Sequence, residues 1–503
     1  MSAAQASAIL AQLDAAGASP GGITADSRRV QPGDVFAAWP GFATDGRRFI
    51  GAAVERGAVA VLWDDCDGFR VEALPVPAIA VADLRSLGGH LAHQIHGRPS
   101  EKLWVAGVTG TNGKTTVTQW LARALAQLGE RCGVIGTLGT GFPGQLADSV
   151  NTTPDALDVH RILAGFVAEG GRAAAMEVSS IGLDQERVNG VAFDVAIFTN
   201  LTRDHLDYHG SMDAYAVAKA RLFDQPGLSG AVINIDDGFG LGQARRLVAR
   251  GMPVIGYTHV DSNAAAVPGA RVLLAEHIRT VPSGLRFSLV WDGVRSDLQV
   301  RMVAPFNVSN LMAVAGALLA KGVALDDVLH VLEQLAPPEG RMQLVGGVGE
   351  PLVVVDYAHS PDALAKVLES VRGTVTTRGG RLICVFGCGG DRDAGKRPMM
   401  GDVVRQLADR VIVTSDNPRS EDPLKIIEAI VQGAGPQAES VVDRAQAIRI
   451  AVTEAAADDV IVLAGKGHEP YQEVLGVRLP FSDVAQAREA LLEWNRAKGA
   501  GGC

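Results

Sequence analysis

The chain has 503 residues, enough for about three domains. Apolar residues make up 47% and charged residues 20%, which excludes a disordered chain and supplies ordinary cores. The net charge of −10 argues against a general nucleic-acid binder, although backbone amides and a few cations can still take phosphates.

The opening "MSAAQASAIL" has neither a basic leader nor a long apolar core, so no signal peptide is expected. No stretch offers 18 apolar residues free of charge or glycine. The expectation is a soluble, cytoplasmic monomer without a membrane span. Residues 1–99 mix short apolar runs with turns. "GDVFAAWPG", "AVAVLW" and "PVPAIAVAD" read as strands, and "HGRPSEK" (96–102) as a turn-rich boundary. Residues 100–337 alternate strand and helix. "LWVAGVTG", "AAAMEVSS", "VAIFTNL" and "GAVINIDD" are buried-strand runs with helical patterns between them. That alternation predicts a parallel sheet covered by helices. Residues 264–302 are richer in strand signals, and "NVSNLMAVAGALLAKG" returns to helix with a glycine stop. "APPEGRM" (336–342) reads as a second linker. Residues 338–503 repeat strand and helix through "LVVVDYAH", "RLICVFGCGG", "RVIVTSDNPRS" and "VIVLAGKGHE". Each of these strands ends in a polar or glycine-rich tip, the edge where open α/β sheets bind ligands. The fold class expected is therefore α/β in three domains, with a central P-loop ATPase-like parallel sheet and a Rossmann-like C-terminal domain.

The five cysteines are scattered, with no C-x-x-C pair, which argues against a disulfide scaffold or a zinc site. Cys384 and Cys388 stand beside glycines in what reads as a loop after a strand, and all five are expected to be free thiols.

"WVAGVTGTNGKTTVTQWLARAL" (104–125) carries the sharpest signal. Apolar residues lead to Gly110 and Gly113, then Lys114, Thr115, Thr116 and a helix. Glycines allow a tight turn that aims amides at phosphate oxygens, and the helix N-terminus adds positive potential. Lys114 would neutralise the terminal phosphates of ATP, and the Thr115 hydroxyl would reach Mg²⁺. The usual G-x-x-x-x-G-K-[ST] spacing fails by one residue, because Val108 stands where glycine belongs and Gly107 precedes it. Glu177 ends an apolar strand, where a carboxylate can hold Mg²⁺. "NLTRDHLDYHG" brings Asp204, His205, Asp207 and His209 close in sequence. Alone it is a zinc site or a polar turn; beside a phosphate loop it fits a second metal and the transferred phosphoryl group. Lys219, read alone, is a solvated helix lysine. Asn307 and Asn310, spaced i and i+3, share one face of a helix start, where Asn307 alone would read as a cap.

G-x-T-G-T-N-G-K-T-T resembles the phosphate loop of the Mur ligases and the related folylpolyglutamate synthases, and the resemblance to the Mur ligase family runs the length of the chain. It implies an ATP-dependent amide-forming ligase working through an acyl phosphate, with Gly110, Thr111, Asn112, Gly113, Lys114, Thr115 and Thr116 around the ATP phosphates. D-H-L-D-Y-H-G followed by Y-x-x-x-K-x-x-L-F is similar to a family pattern whose lysine is carbamylated. By that match Lys219 would become an anion, Thr115 and Glu177 would hold one Mg²⁺, and His205 and carbamylated Lys219 would lie near another. The same resemblance places Asn307, Asn310, Arg341, Asp356 and His359 near the nucleotide and implies domain closure.

Within the family, "TADSRRVQPGDVFAAWPG" and "NTTPD" resemble the stretches that take UDP-MurNAc-L-Ala-D-Glu, with Ser27, Asn151, Thr152 and Thr153 as contacts. Ser179, Gln185 and Arg187 would hold the same anionic substrate. "GCGGDRDAGKRPMM", "SDNPRSEDP" and "AGKGHEPYQ" look like the form that takes meso-diaminopimelate. Arg419 would fork onto its far carboxylate and Arg392 would bind the same end, Asp416, Asn417 and Glu469 would receive its far ammonium, and Pro418 and Gly465 would be further contacts of the amino acid. A lysine substrate would leave Arg419 without its anion, a mismatch of about 1–3 kcal/mol or more. His205, His209 and His359 are the candidates for taking the amine's proton. The rival readings are a folate- or cyanophycin-type ligase, a lysine-adding sister enzyme, and a non-catalytic nucleotide-binding regulator or transporter ATPase.

Overall fold

The computed structural model describes residues 3–41, 44–149, 151–281 and 284–500. Cys503, expected to be a free thiol, lies outside the described residues; Cys66, Cys132, Cys384 and Cys388 are free. The chain divides into two compact units, Met1–Leu273 with Met312–Val328, and Leu274–Leu311 with Leu329–Cys503.

In the first unit, β1 (Gly22–Thr24), β2 (Asp34–Ala38), β3 (Ala60–Asp64) and β4 (Ala78–Val81) form a small parallel sheet in that order. A second sheet is built from β5 (Trp104–Thr109), β6 (Cys132–Gly136), β7 (Gly139–Phe142), β8 (Gln145–Ala147), β9 (Ala173–Glu177), β10 (Val195–Phe198), β11 (Gly230–Asn234) and β12 (Val254–Thr258). Across this unit its strands run β12-β11-β10-β5-β9-β6-β7-β8. The first six of these are parallel, and β7 and β8 add an antiparallel tail. Every residue of β6 and β9 is buried, as expected of strands covered on both faces. Register then fixes the working edge. Glu177 of β9 pairs with Val108 of β5, and Phe198 of β10 pairs with Thr109. The carboxyl tips of neighbouring strands therefore converge, and that edge carries the loops. Short polar caps start the covering helices: the Asp155 side chain accepts from the amides of Leu157 and Asp158, and Ser211 caps Met212–Ala220.

The stretch richer in strand signals is β13 (Arg271–Val281), β14 (Gly284–Trp291) and β15 (Val294–Val300), of which β14 and β15 pair as an antiparallel hairpin. In the second unit, β16 (Gln343–Gly346), β17 (Leu352–Asp356), β18 (Leu382–Phe386), β19 (Arg410–Thr414), β20 (Glu439–Val441) and β21 (Val460–Ala464) make one sheet in the order β16-β17-β21-β18-β19-β20. β16 is antiparallel and the rest are parallel. Apolar clusters fill both of its faces, one around Val354, Cys384, Phe386 and Val462, the other around Val353, Ile383, Ile412 and Ile461. Asp356, Phe386 and Ala464 stand in one register row, so the tips of β17, β18 and β21 open onto one edge. The hairpin β22 (Tyr471–Val474) and β23 (Val477–Pro480) follows that edge. No helix among the described residues is long and apolar enough to cross a membrane.

Candidate functional site

The phosphate-type loop joins β5 to the helix Lys114–Gln127. Gly110 has φ +149°, and a Cβ there would stand 1.9 Å from Thr199 Oγ1, so only glycine lets the loop pass this close. Gly113 turns the chain into the helix at φ +87°. Asn200 braces the loop: its carbonyl accepts from the Thr111 amide at 2.8 Å and its Oδ1 from the Asn112 amide at 3.0 Å. Lys114 Nζ donates to the carbonyls of Gly110 and Thr111 at 2.8 and 2.9 Å, curled over the loop it belongs to.

Glu177 reaches the same spot from the tip of β9 and is buried. Its Oε2 accepts from Thr115 Oγ1 at 3.0 Å and Thr137 Oγ1 at 3.2 Å, and its Oε1 from the Thr137 amide at 2.8 Å. A hydroxyl and a carboxylate on hard oxygens thus face each other beside the loop, a donor set that suits Mg²⁺. The described residues hold no group of three or more His, Cys, Asp or Glu side chains poised for a metal.

Lys219, which reads alone as a solvated helix residue, is 1% exposed. Its Nζ donates to the Gly110 carbonyl at 2.8 Å and lies 4.3 Å from the centre of the Tyr215 ring. Burial, reinforced by repulsion from Lys114, depresses its pKa to about 6. The Tyr215 hydroxyl meets Thr111 Oγ1 at 3.2 Å, so this helix is tied to the loop. His205 is exposed with φ +52°, beside Asp204 and with its ring 6.2 Å from that of Tyr215. His209 Nε2 lies 2.9 Å from Ser180 Oγ, and burial lowers its pKa. Asp204 and Asp207 are exposed.

A polar chain continues from Glu177. Thr153 Oγ1 donates to the Glu177 carbonyl at 2.9 Å and accepts from the Ser179 amide at 3.0 Å. Thr152 Oγ1 lies 3.0 Å from Thr137 Oγ1. Arg187 donates to the Thr153 carbonyl at 2.8 Å and to Gln185 Oε1 at 2.6 Å. Thr115, Glu177, Thr152, Thr153, Ser179, Gln185 and Arg187 therefore form one connected patch. Asn151 is exposed at its margin, and Ser27 sits in the half-buried turn after β1.

The second unit gathers the other candidates. Asn307 and Asn310 are buried, and Asn310 Nδ2 donates to Asn307 Oδ1 at 3.2 Å. The helix already begins at Phe306, and Asn307 Nδ2 donates back to the Val303 carbonyl at 2.9 Å, so the alternative reading of Asn307 as a cap is not met. Asp356, at the tip of β17, accepts from the amides of Met342 and Ala358 at 2.9 and 2.8 Å, and burial raises its pKa. The Arg341 guanidinium lies 5.0 Å from the centre of the Tyr357 ring, with its Nε buried and without a hydrogen-bond partner among the described residues. The exposed His359 turns Nδ1 toward the Tyr357 carbonyl at 2.9 Å.

Beyond β19, Asp416 is buried with a raised pKa, again from burial, and Gly465 passes so close that a Cβ would stand 2.5 Å from Asp416 Oδ2. Asn417 Nδ2 donates to Glu469 Oε2 at 2.8 Å. Pro418 is buried. Arg419, at φ +50°, donates to the Gly390 carbonyl at 2.7 Å and stands 4.0 Å from Glu473. Arg392 is exposed; a Cβ on Gly389 would be 2.9 Å from Arg419 Nη1 and 3.9 Å from Arg392 Cγ, so the two arginines flank one glycine. Asn200, Thr137, Tyr215, Lys466 and Glu473 escape the sequence reading. Asn200, Tyr215, Lys466 and Glu473 sit in or beside motifs quoted above, Tyr215 as the tyrosine of Y-x-x-x-K-x-x-L-F, whereas Thr137 lies in a stretch with no motif signal.

Three family models match the chain: the Mur ligase middle domain over residues 108–318, the Mur ligase glutamate ligase domain over 340–467, and the Mur ligase family catalytic domain over 21–96. The chain is 51% identical over 477 residues to a UDP-N-acetylmuramoyl-L-alanyl-D-glutamate–2,6-diaminopimelate ligase of Ectopseudomonas mendocina (strain ymp), covering 94% of this chain and 96% of that protein. It is 50% identical over 476 residues to the protein of the same name from Pseudomonas aeruginosa, covering 94% and 95%. A solved structure of a UDP-N-acetylmuramoyl-L-alanyl-D-glutamate–2,6-diaminopimelate ligase, 36% identical, superposes with a TM-score of 0.71 over 95% of both chains.

Proposed function

The chain belongs to the Mur ligase family, and from that premise we propose that it joins meso-diaminopimelate to UDP-MurNAc-L-Ala-D-Glu at the expense of ATP, in peptidoglycan synthesis. The observation that carries this reading is the unbroken run of hydrogen bonds from Thr115 through Glu177 to Thr153, Ser179 and Arg187. It joins a phosphate-type loop to a half-buried arginine, which suits a reaction between ATP and an anionic acceptor.

The γ-phosphoryl group of ATP passes to the D-glutamate γ-carboxylate, the amine of diaminopimelate attacks the acyl phosphate, and phosphate leaves. Loop amides of 110–116 cradle the phosphates. Lys114 exchanges its two loop carbonyls for phosphate oxygens, placing its charge where negative charge builds. Arg187 and Gln185, already paired, orient the nucleotide-peptide together with Ser27, Asn151, Thr152, Thr153 and Ser179. Thr115 and Glu177 would hold a Mg²⁺ ion, with His205 and carbamylated Lys219 beside a second; the ions would supply charge neutralisation at the phosphates. The neutral buried amine of Lys219 suits capture of CO₂. The unpartnered Nε of Arg341 suits a phosphate, and Arg341 serves ATP with Asn307, Asn310, Asp356 and His359. Arg392, Asp416, Asn417, Pro418, Arg419, Gly465 and Glu469 serve the amino acid. The same reading divides the chain into 1–99 for the nucleotide-sugar, 100–337 for ATP and 338–503 for the amino acid. It takes the protein to be a cytoplasmic monomer.

The test is one incubation with ATP, magnesium, bicarbonate and UDP-MurNAc-L-Ala-D-Glu, offered meso-diaminopimelate or lysine in turn. The expected result is ADP and, with diaminopimelate, a new tripeptide mass. ADP release without an amide product, or lysine used equally well, would overturn the reading.

A further inference from the structure

Lys466 follows Gly465 at the tip of β21 and is 0% exposed. A lysine without access to water must have its charge met by acceptors. Its Nζ donates to Asn417 Oδ1 at 3.0 Å and to Glu469 Oε2 at 3.2 Å, and the Tyr471 ring centre lies 5.6 Å away. Asn417 Oδ1 also accepts from the Glu473 amide at 2.9 Å, while its Nδ2 donates to Glu469 Oε2. Flipping the Asn417 amide would set its NH₂ against an ammonium and an N–H, so the network allows one orientation. Both lone pairs of Asn417 Oδ1 are then engaged, and the amide has no acceptor left to offer a substrate. Glu469 Oε2 is likewise claimed by two donors, whereas Oε1 has no hydrogen-bond partner among the described residues.

We infer that Lys466 is a positioning residue for the amino-acid pocket: through Asn417 and Glu469 Oε2 it fixes the Glu469 carboxylate and reserves Oε1 for the far ammonium of the incoming diamino acid. Asn417 Oδ1 then acts as a strut and not as an acceptor for that ammonium. Lys466 also offsets one of the acidic charges of Asp416, Glu469 and Glu473, which limits how strongly the empty pocket draws other cations. The inference rests on the substrate assignment above.

The test compares kcat/KM for meso-diaminopimelate with that for 2-aminopimelate, which keeps both carboxylates and the reacting amine but lacks the far ammonium. The unaltered protein should favour diaminopimelate by more than about tenfold, because a site built for a charged donor discriminates against its absence. In Lys466→Met the preference should fall by about tenfold, since Glu469 Oε2 loses its charged donor and Asn417 loses the contact that fixes its amide. A purely structural defect would lower both substrates in parallel and leave the preference intact, which would overturn the inference. In a Glu469→Gln background, adding Lys466→Met should change the preference no further; a full additional loss would also overturn it. If Lys466→Met fails to fold, Lys466→Gln takes the same measurement. Absence of any product from diaminopimelate with the unaltered protein would sink the substrate assignment, whereas turnover with an unmoved preference would sink only the role of Lys466.

Discussion

Lys219 shows how one side chain changes meaning with its surroundings. On the helix Met212–Ala220 it is an ordinary polar residue, yet the fold buries it against the Gly110 carbonyl and near Lys114. Burial and the Lys114 charge both disfavour the ammonium form, so the amine is largely neutral above about pH 6. Only the neutral amine adds CO₂, so carbamate should persist at mildly alkaline pH and fade as pH falls through about 6. The unfolded chain binds a proton on this lysine throughout the interval between its ordinary range and about 6, so Lys219 subtracts increasingly from stability as pH drops across it. Isotope-labelled bicarbonate followed by carbonyl-region NMR reads the first effect, with Lys219→Ala as the blank. A wild-type spectrum identical to that blank at mildly alkaline pH would remove carbamylation from the mechanism. Other placements were legible one at a time: residue type and position in the motif led to the expectation that Lys114, Thr115 and Glu177 stand beside one loop, where the structure has them. That of Thr137 was not, because this residue is drawn to Glu177 by the pairing of β6 with β9, which no local pattern announces.

At the scale of elements, strand tips do the positioning. β5, β9 and β10 are in register, so the phosphate loop, Glu177 and Asn200 emerge side by side. Gly110 is the tightest point. Gly110→Ala would place a methyl inside the contact radius of Thr199 in a backbone conformation that side chains avoid. We expect a stability loss of about 1–3 kcal/mol, together with a raised KM for ATP, read by a denaturant midpoint and steady-state kinetics. An unchanged midpoint would mean that the loop is slacker than its geometry indicates. β5, β9, β10 and β11 of this sheet and β17, β18, β19 and β21 of the C-terminal one were readable as continuous apolar runs with polar tips, and the helix after Lys114 as a glycine-led start. The helix Phe306–Lys321 was readable to within a residue of its start; the alternative that Asn307 caps it is not met, because Asn307 lies inside the first turn and donates backward.

Across the whole molecule, the residues assigned to the phosphate loop lie in one compact unit and those assigned to the amino-acid pocket in the other. Ligand binding protects the segments it stabilises. Diaminopimelate added alone should therefore slow amide hydrogen exchange around 387–392, 415–421 and 465–475, with 110–116 and 177–179 unmoved. Protection confined to the phosphate loop would place the pocket wrongly. The sequence by itself determined the α/β class, the strand and helix succession and the phosphate loop, because these depend on apolar periodicity and glycine spacing over a few neighbouring residues. Only the tertiary structure decided that Lys219 is buried, that Thr137 completes the hold on Glu177, and that Lys466 already occupies the acceptor of Asn417. Those facts depend on side chains brought together from different strands, whose desolvation and hydrogen bonding exist only once the sheets have formed.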